Sequence, residues 1–245
     1  MVEPRIILFI AWGDSHVALV AQCIAESRLP PYPVFLITDT TTQTDMLPPG
    51  VAVLRRDFAF SSKERKAEAF ASLPETFGTV LFLDVDTRVL ADISLGFDKA
   101  EQYGIAMAPA PHYSLADFRS FGRVLEREGL APQGHVIYNS GVIFFDWRVA
   151  KVRSVFQQAL ALASKDETRT WSDQPYITLA MEMMDLNPYT LSPSFNHRAF
   201  GELISGSVRI WHSYQPVPPE AAQLEPGYLH RYEGTTAVRV MKVPL

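Results

Sequence analysis

The sequence predicts an α/β chain built on a mainly parallel central sheet flanked by helices. Three observations predict it. Short apolar runs alternate with stretches of helical periodicity, the runs are apolar throughout rather than at every second residue, and two of them end in aspartate. Continuously apolar strands belong to sheets covered on both faces. Alternation with helices supplies the crossovers that parallel strands need. Open sheets of this kind bind ligands at the carboxyl ends of their strands, where Asp39 and Asp84 fall.

The elements follow in order. Residues 6–11 read as a buried strand, and residues 14–27 as a helix with Val17, Val20, Ala21 and Ile24 on one face and Asp14 or Ser15 as its cap. Cys23 lies in that apolar pattern and is expected in the core. Pro30, Pro31 and Pro33 break the chain before a second strand at 34–38. Pro48-Pro49-Gly50 is a turn leading to a short strand at 51–54. Ser61-Ser62-Lys63-Glu64 matches a capping box and predicts a helix over 62–73. Residues 79–83 are a strongly apolar strand running into Asp84-Val85-Asp86.

The second half is less regular. Residues 108–135 are rich in proline, glycine and mixed polar residues, with a helix expected over 115–128. A long strand at 136–146 is interrupted by Asn139-Ser140-Gly141. Helices are expected at 149–164 and 172–183, the latter with Pro175 in its first turn, and a further strand at 208–212. There is no repeat, low-complexity tract or linker, so the chain reads as one domain.

Composition narrows the function. Among 245 residues, hydrophobic types make up 47% and charged types 20%, ordinary for a globular protein, and the formal net charge is -5. A mildly acidic chain without clustered lysine and arginine does not wrap nucleic acid. The single cysteine, Cys23, excludes an intrachain disulfide and a cysteine-rich zinc site, and suits a reducing, cytoplasmic setting. The seven-residue apolar run from Ile6 to Trp12 is short for a signal-peptide core and reads better as a first strand. No stretch approaches the roughly 18 apolar residues of a membrane span.

The most informative segment is Phe82-Leu83-Asp84-Val85-Asp86. Residues i and i+2 of an extended chain point to one side. Two carboxylates so placed at a strand end form a hard, doubly negative oxygen site suited to Mn²⁺ or Mg²⁺, with phosphate oxygens and water completing the shell. The bland alternative is a solvated strand end. Asn139-Ser140-Gly141 inside an apolar strand marks a bulge or a close backbone approach. Ser172-Asp173-Gln174-Pro175 opens a helix; Ser172 and Asp173 are ordinary caps there, which leaves Gln174 unexplained. Val208-Arg209-Ile210-Trp211-His212 ends a strand on an imidazole, a common metal ligand, although a lone histidine is more often structural.

Together these segments resemble the family 8 glycosyltransferases and their bacterial relatives. The likeness lies in the order of four stations: Leu81 to Asp86, Asn139-Ser140-Gly141-Val142, Asp173-Gln174-Pro175, and Trp211-His212. It implies a GT-A (Rossmann-like) fold and a metal-dependent transfer of a sugar, with retention, from a nucleotide-sugar donor to an acceptor that the sequence does not identify; a UDP-sugar is the expected donor. It implies Asp84, Asp86 and His212 as ligands of Mn²⁺ or Mg²⁺. Ala11, Trp12, Asp39, Lys66, Asp84, Val85, Asn139 and Ser140 are expected to contact the donor and its nucleotide, and Asp173 and Gln174 to lie beside the reacting carbon. In these terms residues 1–90 form a nucleotide-binding half, 91–214 a donor-sugar and acceptor half, and 215–245 a C-terminal extension.

The chain departs from the family in two places. Where the family continues its histidine with glycine and then a Lys-Pro-Trp clamp for the diphosphate, this chain has Ser213-Tyr214-Gln215-Pro216-Val217-Pro218-Pro219. Arg231 or Lys242 is a candidate to replace the lysine. The first strand ends in Trp12-Gly13-Asp14 rather than an acidic residue and tyrosine. Two alternatives stand beside the transferase. One is a non-catalytic nucleotide-sugar-binding protein. The other is a phosphohydrolase of the haloacid-dehalogenase type, whose aspartate pair belongs to a first strand and continues differently from Thr87-Arg88.

Overall fold

The computed structural model describes residues 3–60, 64–116, 118, 121–131, 136–165, 172–198, 204–219, 221, 228–233 and 236–242. The chain runs β1 (Glu3–Ile10), α1 (Asp14–Glu26), β2 (Val34–Thr38), β3 (Val51–Arg55), α2 (Glu64–Ala71), β4 (Phe77–Leu83), β5 (Thr87–Val89), α3 (Ser94–Tyr103) and β6 (Ile105–Ser114). It continues through α4 (Gly122–Arg127), β7 (Val136–Asp146), α5 (Ala150–Lys165), α6 (Gln174–Met183), β8 (Tyr189–Thr190) and a 3₁₀ turn at Pro193–Phe195. It ends with β9 (Ile204–Ser205), β10 (Ile210–His212), β11 (Tyr228–Glu233) and β12 (Thr236–Lys242).

The central sheet has seven strands in the order β3-β2-β1-β4-β7-β6-β8. The first four are mutually parallel, β7 runs antiparallel between β4 and β6, and β8 joins β6 in parallel. The expected mainly parallel sheet is present, with one reversed strand at its middle.

The continuous apolar runs arise because both faces are covered. Along β1, Ile6, Leu8 and Ile10 enter one core while Ile7, Phe9 and Ala11 beyond its end enter the other. Along β4, Val80 and Phe82 face the first core and Leu81 and Leu83 the second. Helices α2, α4, α5 and α6 cover the first face, α1 and α3 the second. Strand periodicity sends alternate residues to opposite faces, so each face needs its own apolar set. On the second face α3 lies very close to β7: a Cβ at Gly96 would meet the Phe144 ring at 2.5 Å.

Several expectations are corrected. Helix α1 is preceded by Gly13 and has no side-chain cap; Asp14 instead accepts the Gln43 backbone N–H at 2.9 Å. The capping box at Ser61-Ser62-Lys63 lies outside the described residues. The helix expected over 115–128 shortens to α4, and residues 108–114 belong to the strand β6. Helix α3 was not anticipated. The C-terminal extension forms a β11–β12 hairpin, which joins β9 in a separate antiparallel sheet.

Candidate metal and donor-binding site

The site lies where β4 leaves the sheet. Phe77–Leu83 is wholly buried, and the chain emerges at Asp84. Pairing with β7 continues to Leu83↔Val142, and the Asp84 N–H donates to the Gly141 carbonyl at 2.8 Å. The chain then turns into β5, which pairs antiparallel with β10 in the register Thr87↔His212. That register sets His212 opposite the residue following Asp86, and the Ser213 N–H donates to the Asp86 carbonyl at 3.0 Å.

Three candidate ligands converge. His212 Nε2 is 3.4 Å from Asp86 Oδ1 and 3.9 Å from Asp84 Oδ2. One donor atom from each of Asp84, Asp86 and His212 falls within 4.8 Å of the others. Two carboxylate oxygens and an imidazole nitrogen are a donor set that fits a divalent cation. The imidazole is seated over Gly141, where an added Cβ would lie 2.0 Å from His212 Cε1. The glycine read as a bulge signal thus makes room for the histidine ring.

Behind the carboxylates lies one buried cation. Lys66 Nζ, on α2, donates to Asp84 Oδ1 at 2.9 Å and to the Ser140 carbonyl at 3.2 Å, and pairs with Asp173 Oδ2 at 3.0 Å. It also sits 4.4 Å from the centre of the Phe82 ring. Burial by itself would lower the Lys66 pKa, but Asp173 and Asp84 outweigh it and hold the ammonium above its ordinary value. Burial raises the Asp84 carboxyl; Lys66 and His212 oppose the rise and Asp173 and Asp86 add to it. At Asp86 burial also acts upward, but hydrogen bonding and charge from His212, with Lys66, bring it below the usual range. Three carboxylates face one ammonium, so two negative charges stay uncompensated when His212 is neutral. A divalent cation matches that deficit.

Asp173 and Gln174 reach the same place. Asp173 precedes α6 yet makes no capping bond. Its Oδ1 accepts the Ser140 hydroxyl at 3.0 Å and its Oδ2 faces Lys66. The ordinary cap reading fails here, because the carboxylate is turned across to β7 and α2. Gln174 is buried as the first residue of α6.

Asn139, expected to contact the donor sugar, is bonded within the chain. It is 3% exposed, and its Oδ1 accepts the Gly141 N–H at 2.9 Å and the Asn196 Nδ2 at 2.9 Å. Asn196 Oδ1 in turn lies 2.7 Å from His212 Nδ1. Sequence reading missed Asn196. Its only signal was a polar residue closing Ser192-Pro193-Ser194-Phe195, a turn that the pattern leaves without a role.

The expected nucleotide positions sit at the neighbouring strand ends. Ala11 is buried and its N–H donates to the Ile37 carbonyl at 3.1 Å. Trp12 packs 6.2 Å from Phe58, and the Arg65 guanidinium lies 5.5 Å from one ring and 5.4 Å from the other. Asp39 is engaged within the chain: Oδ1 accepts the hydroxyls and N–H groups of Thr41 and Thr42, and Oδ2 pairs with Arg65 at 3.0 Å. The Thr42 hydroxyl leads in holding its carboxyl down at about 2. Val85 and Asp86 border a cleft of roughly 470 Å³ with Arg88, Tyr214 and Gln215. The segment that departs from the family's clamp therefore lies beside the carboxylates. Arg231 and Lys242 are exposed on the β11–β12 hairpin.

The fold is that of the GT-A glycosyltransferases. Mouse xyloside xylosyltransferase 1, in its apo form, superposes with a TM-score of 0.59 over 88% of this chain and 100% of that one, at 13% identity. The galactosyltransferase LgtC, in complex with donor and acceptor sugar analogues, superposes with a TM-score of 0.58 over 86% of this chain and 88% of that one, also at 13% identity. No protein-family model and no curated protein sequence matches the chain. Among the described residues no helix is long and apolar enough to cross a membrane.

Proposed function

We propose that the protein is a metal-dependent glycosyltransferase that moves a sugar from a nucleoside-diphosphate donor, a UDP-sugar by preference, to an acceptor with retention. The observation that carries this reading is the convergence of Asp84, Asp86 and His212 at the strand end of a GT-A fold. These three residues would hold Mn²⁺ or Mg²⁺. Such an ion supplies Lewis-acid stabilisation of the negative charge that collects on a departing diphosphate.

The chain's own groups do the rest. Lys66 is shared by Asp84 and Asp173 and holds the two carboxylates side by side at the reacting end of the donor. The donor carbon becomes electron-poor as its bond to phosphate breaks. Gln174 offers an uncharged carbonyl to that carbon, while the Asp173 charge is already compensated by Lys66. Gln174 is therefore the catalytic candidate and Asp173 the group that supports it. Trp12, with Arg65 and Phe58, offers a flat face for the base, beside Ala11 and Asp39. Residues 1–90 then bind the nucleotide, 91–214 the donor sugar and acceptor, and 215–245 extend the fold.

Calorimetric titration of UDP in the presence of Mn²⁺ tests the reading. Wild-type protein is expected to bind, and Asp84→Asn and Asp86→Asn each to lose metal-dependent binding while keeping the wild-type melting temperature. Undiminished binding in the double variant would sink it. Release of nucleoside diphosphate from a UDP-sugar separates the transferase from an inert nucleotide-sugar-binding protein, which the missing clamp lysine brings forward.

A further inference from the structure

The hydrogen bonds around His212 have a direction that can be read without seeing a hydrogen. The Gly141 backbone N–H can only donate, so the Asn139 atom that meets it at 2.9 Å is the carbonyl oxygen. That oxygen also meets the Asn196 side chain at 2.9 Å, so the Asn196 atom there is the amide nitrogen; the same nitrogen lies 3.4 Å from the Asn139 backbone carbonyl. The Asn196 atom left to face His212 is its oxygen, 2.7 Å from Nδ1. An oxygen without a proton accepts, so Nδ1 must carry the hydrogen. Neither carboxamide can be flipped without setting two donors or two acceptors against each other.

We propose that Asn196 is a positioning residue that holds His212 as the Nδ1–H tautomer, so that Nε2 presents its lone pair to the space between Asp84 and Asp86. Free imidazole exchanges between two tautomers, and the bond made by one ring nitrogen decides which form persists. Here the deciding bond is buried: Asn139, Asn196 and His212 are 3%, 5% and 8% exposed. The ring cannot shift to escape it, because the Gly141 backbone closes one side so tightly that a single Cβ would collide at 2.0 Å. Asn139, expected to touch the donor sugar, is in this account the anchor of the relay. The relay links β7, the 193–195 turn and β10, so the orientation of the histidine is a property of three elements rather than of its own strand.

The functional consequence rests on the reading of Asp84, Asp86 and His212 as a divalent-metal site; the tautomer does not. Two measurements keep them apart. The first is long-range ¹H–¹⁵N correlation of ¹⁵N-histidine-labelled, metal-free protein, recorded at a pH where the His212 ring is neutral. It is expected to place the His212 proton on Nδ1, and a proton on Nε2 overturns the proposal outright.

The second is the Kd for Mn²⁺ without nucleotide, from the electron-paramagnetic signal of the unbound ion. Asn196→Leu, which removes both bonds, is expected to weaken Mn²⁺ binding about 10- to 100-fold, the usual effect of losing a ligand's orienting partner. Asn196→Asp keeps an acceptor for Nδ1–H and is expected to retain most of the affinity, although it loses its donor to Asn139. A merely structural role predicts the reverse order, with the aspartate variant the worse of the two. Wild-type affinity in Asn196→Leu, with an unchanged melting temperature, overturns the proposal. A wild-type protein with Nδ1 protonated that binds no Mn²⁺ would overturn the metal reading and leave the tautomer assignment supported. If Asn196→Leu does not fold, the wild-type spectrum alone decides.

Discussion

A buried imidazole pressed against a glycine backbone makes Gly141 the most sensitive single position in the candidate site. An alanine Cβ there would lie 2.0 Å from His212 Cε1, 2.7 Å from Nε2 and 2.8 Å from Nδ1. No rotamer change at residue 141 relieves that, so the ring must move. Gly141→Ala is expected to cost about 1–3 kcal/mol in stability, as overpacking does, and to weaken Mn²⁺ binding more than tenfold. Urea unfolding and metal titration of the same sample check both, and retained affinity would show that the ring has another place to go. Asp39 carries a pH signature instead. Its carboxyl is held at about 2, below the ordinary 3.8, chiefly by the Thr42 hydroxyl. A depressed acid stabilises the fold in its ionised form, so the contribution is complete above the unfolded value and disappears as pH falls toward about 2. Asp39→Asn is expected to lose about 1 kcal/mol at neutral pH, allowing for solvent screening. The gap from wild type should close as pH drops from about 4 toward about 2. A gap that is constant across that range would assign the loss to packing rather than to charge.

At the scale of the element, α6 is decisive. Its first turn starts without a side-chain cap, since the Asp173 carboxylate bonds Ser140 and Lys66. The N-terminus of α6 turns the partly positive end of the helix toward the carboxylate cluster. Gln174 is buried at that end. Because the charge it would meet develops only as the glycosidic bond breaks, Gln174→Ala is expected to lower kcat about 10- to 100-fold while the Kd for UDP changes by less than about twofold. Normal turnover in this variant would reduce Gln174 to a packing role. Strand β7 shows a similar economy. Between Ile143↔Met107 and Tyr138↔Pro109 it carries three more residues than β6 does. The surplus is Asn139-Ser140-Gly141, which bond to Asn196, Asp173 and Asp84 in place of a regular partner in β6.

Across the whole molecule, the candidate site draws on the end of β4, α2, β7, the start of α6, the 193–195 turn and β10. The aspartate pair at Asp84 and Asp86, Asp173 and His212 are three stations far apart in sequence. A ligand that bridges such a set binds the folded chain and has no counterpart in the unfolded one. Mn²⁺ with UDP at about 100 times Kd is therefore expected to stabilise the protein by about 2.7 kcal/mol, a rise in melting temperature of roughly 5–10 °C for a chain of this size. Differential scanning fluorimetry reads it directly. An equal rise in the Asp84→Asn, Asp86→Asn double variant would mean that the nucleotide is bound elsewhere.

The sequence by itself determined the layered α/β architecture, because apolar periodicity is a local property that survives without coordinates. Strands at 6–11, 34–38 and 79–83 and helices over 149–164 and 172–183 were legible within a few residues of β1, β2, β4, α5 and α6. The aspartate pair was legible too, since spacing i, i+2 on a strand is enough to put two carboxylates on one side. Helix α3 and strand β6 were not, because glycine and proline within them hide the period. Only the tertiary structure decided what each polar group does. Asp173 reads as a cap in sequence and is an ion-pair partner in space; Asp39 reads as a ligand contact and is bonded to Thr41, Thr42 and Arg65. Asn139 reads as a sugar contact and lies behind His212, and Asn196 gave no usable signal at all. The reason is physical: hydrogen-bond direction and steric closeness depend on which strands and turns become neighbours, and the register Thr87↔His212 that joins the two ends of the site is set by packing across more than a hundred intervening residues rather than by anything near Asp86.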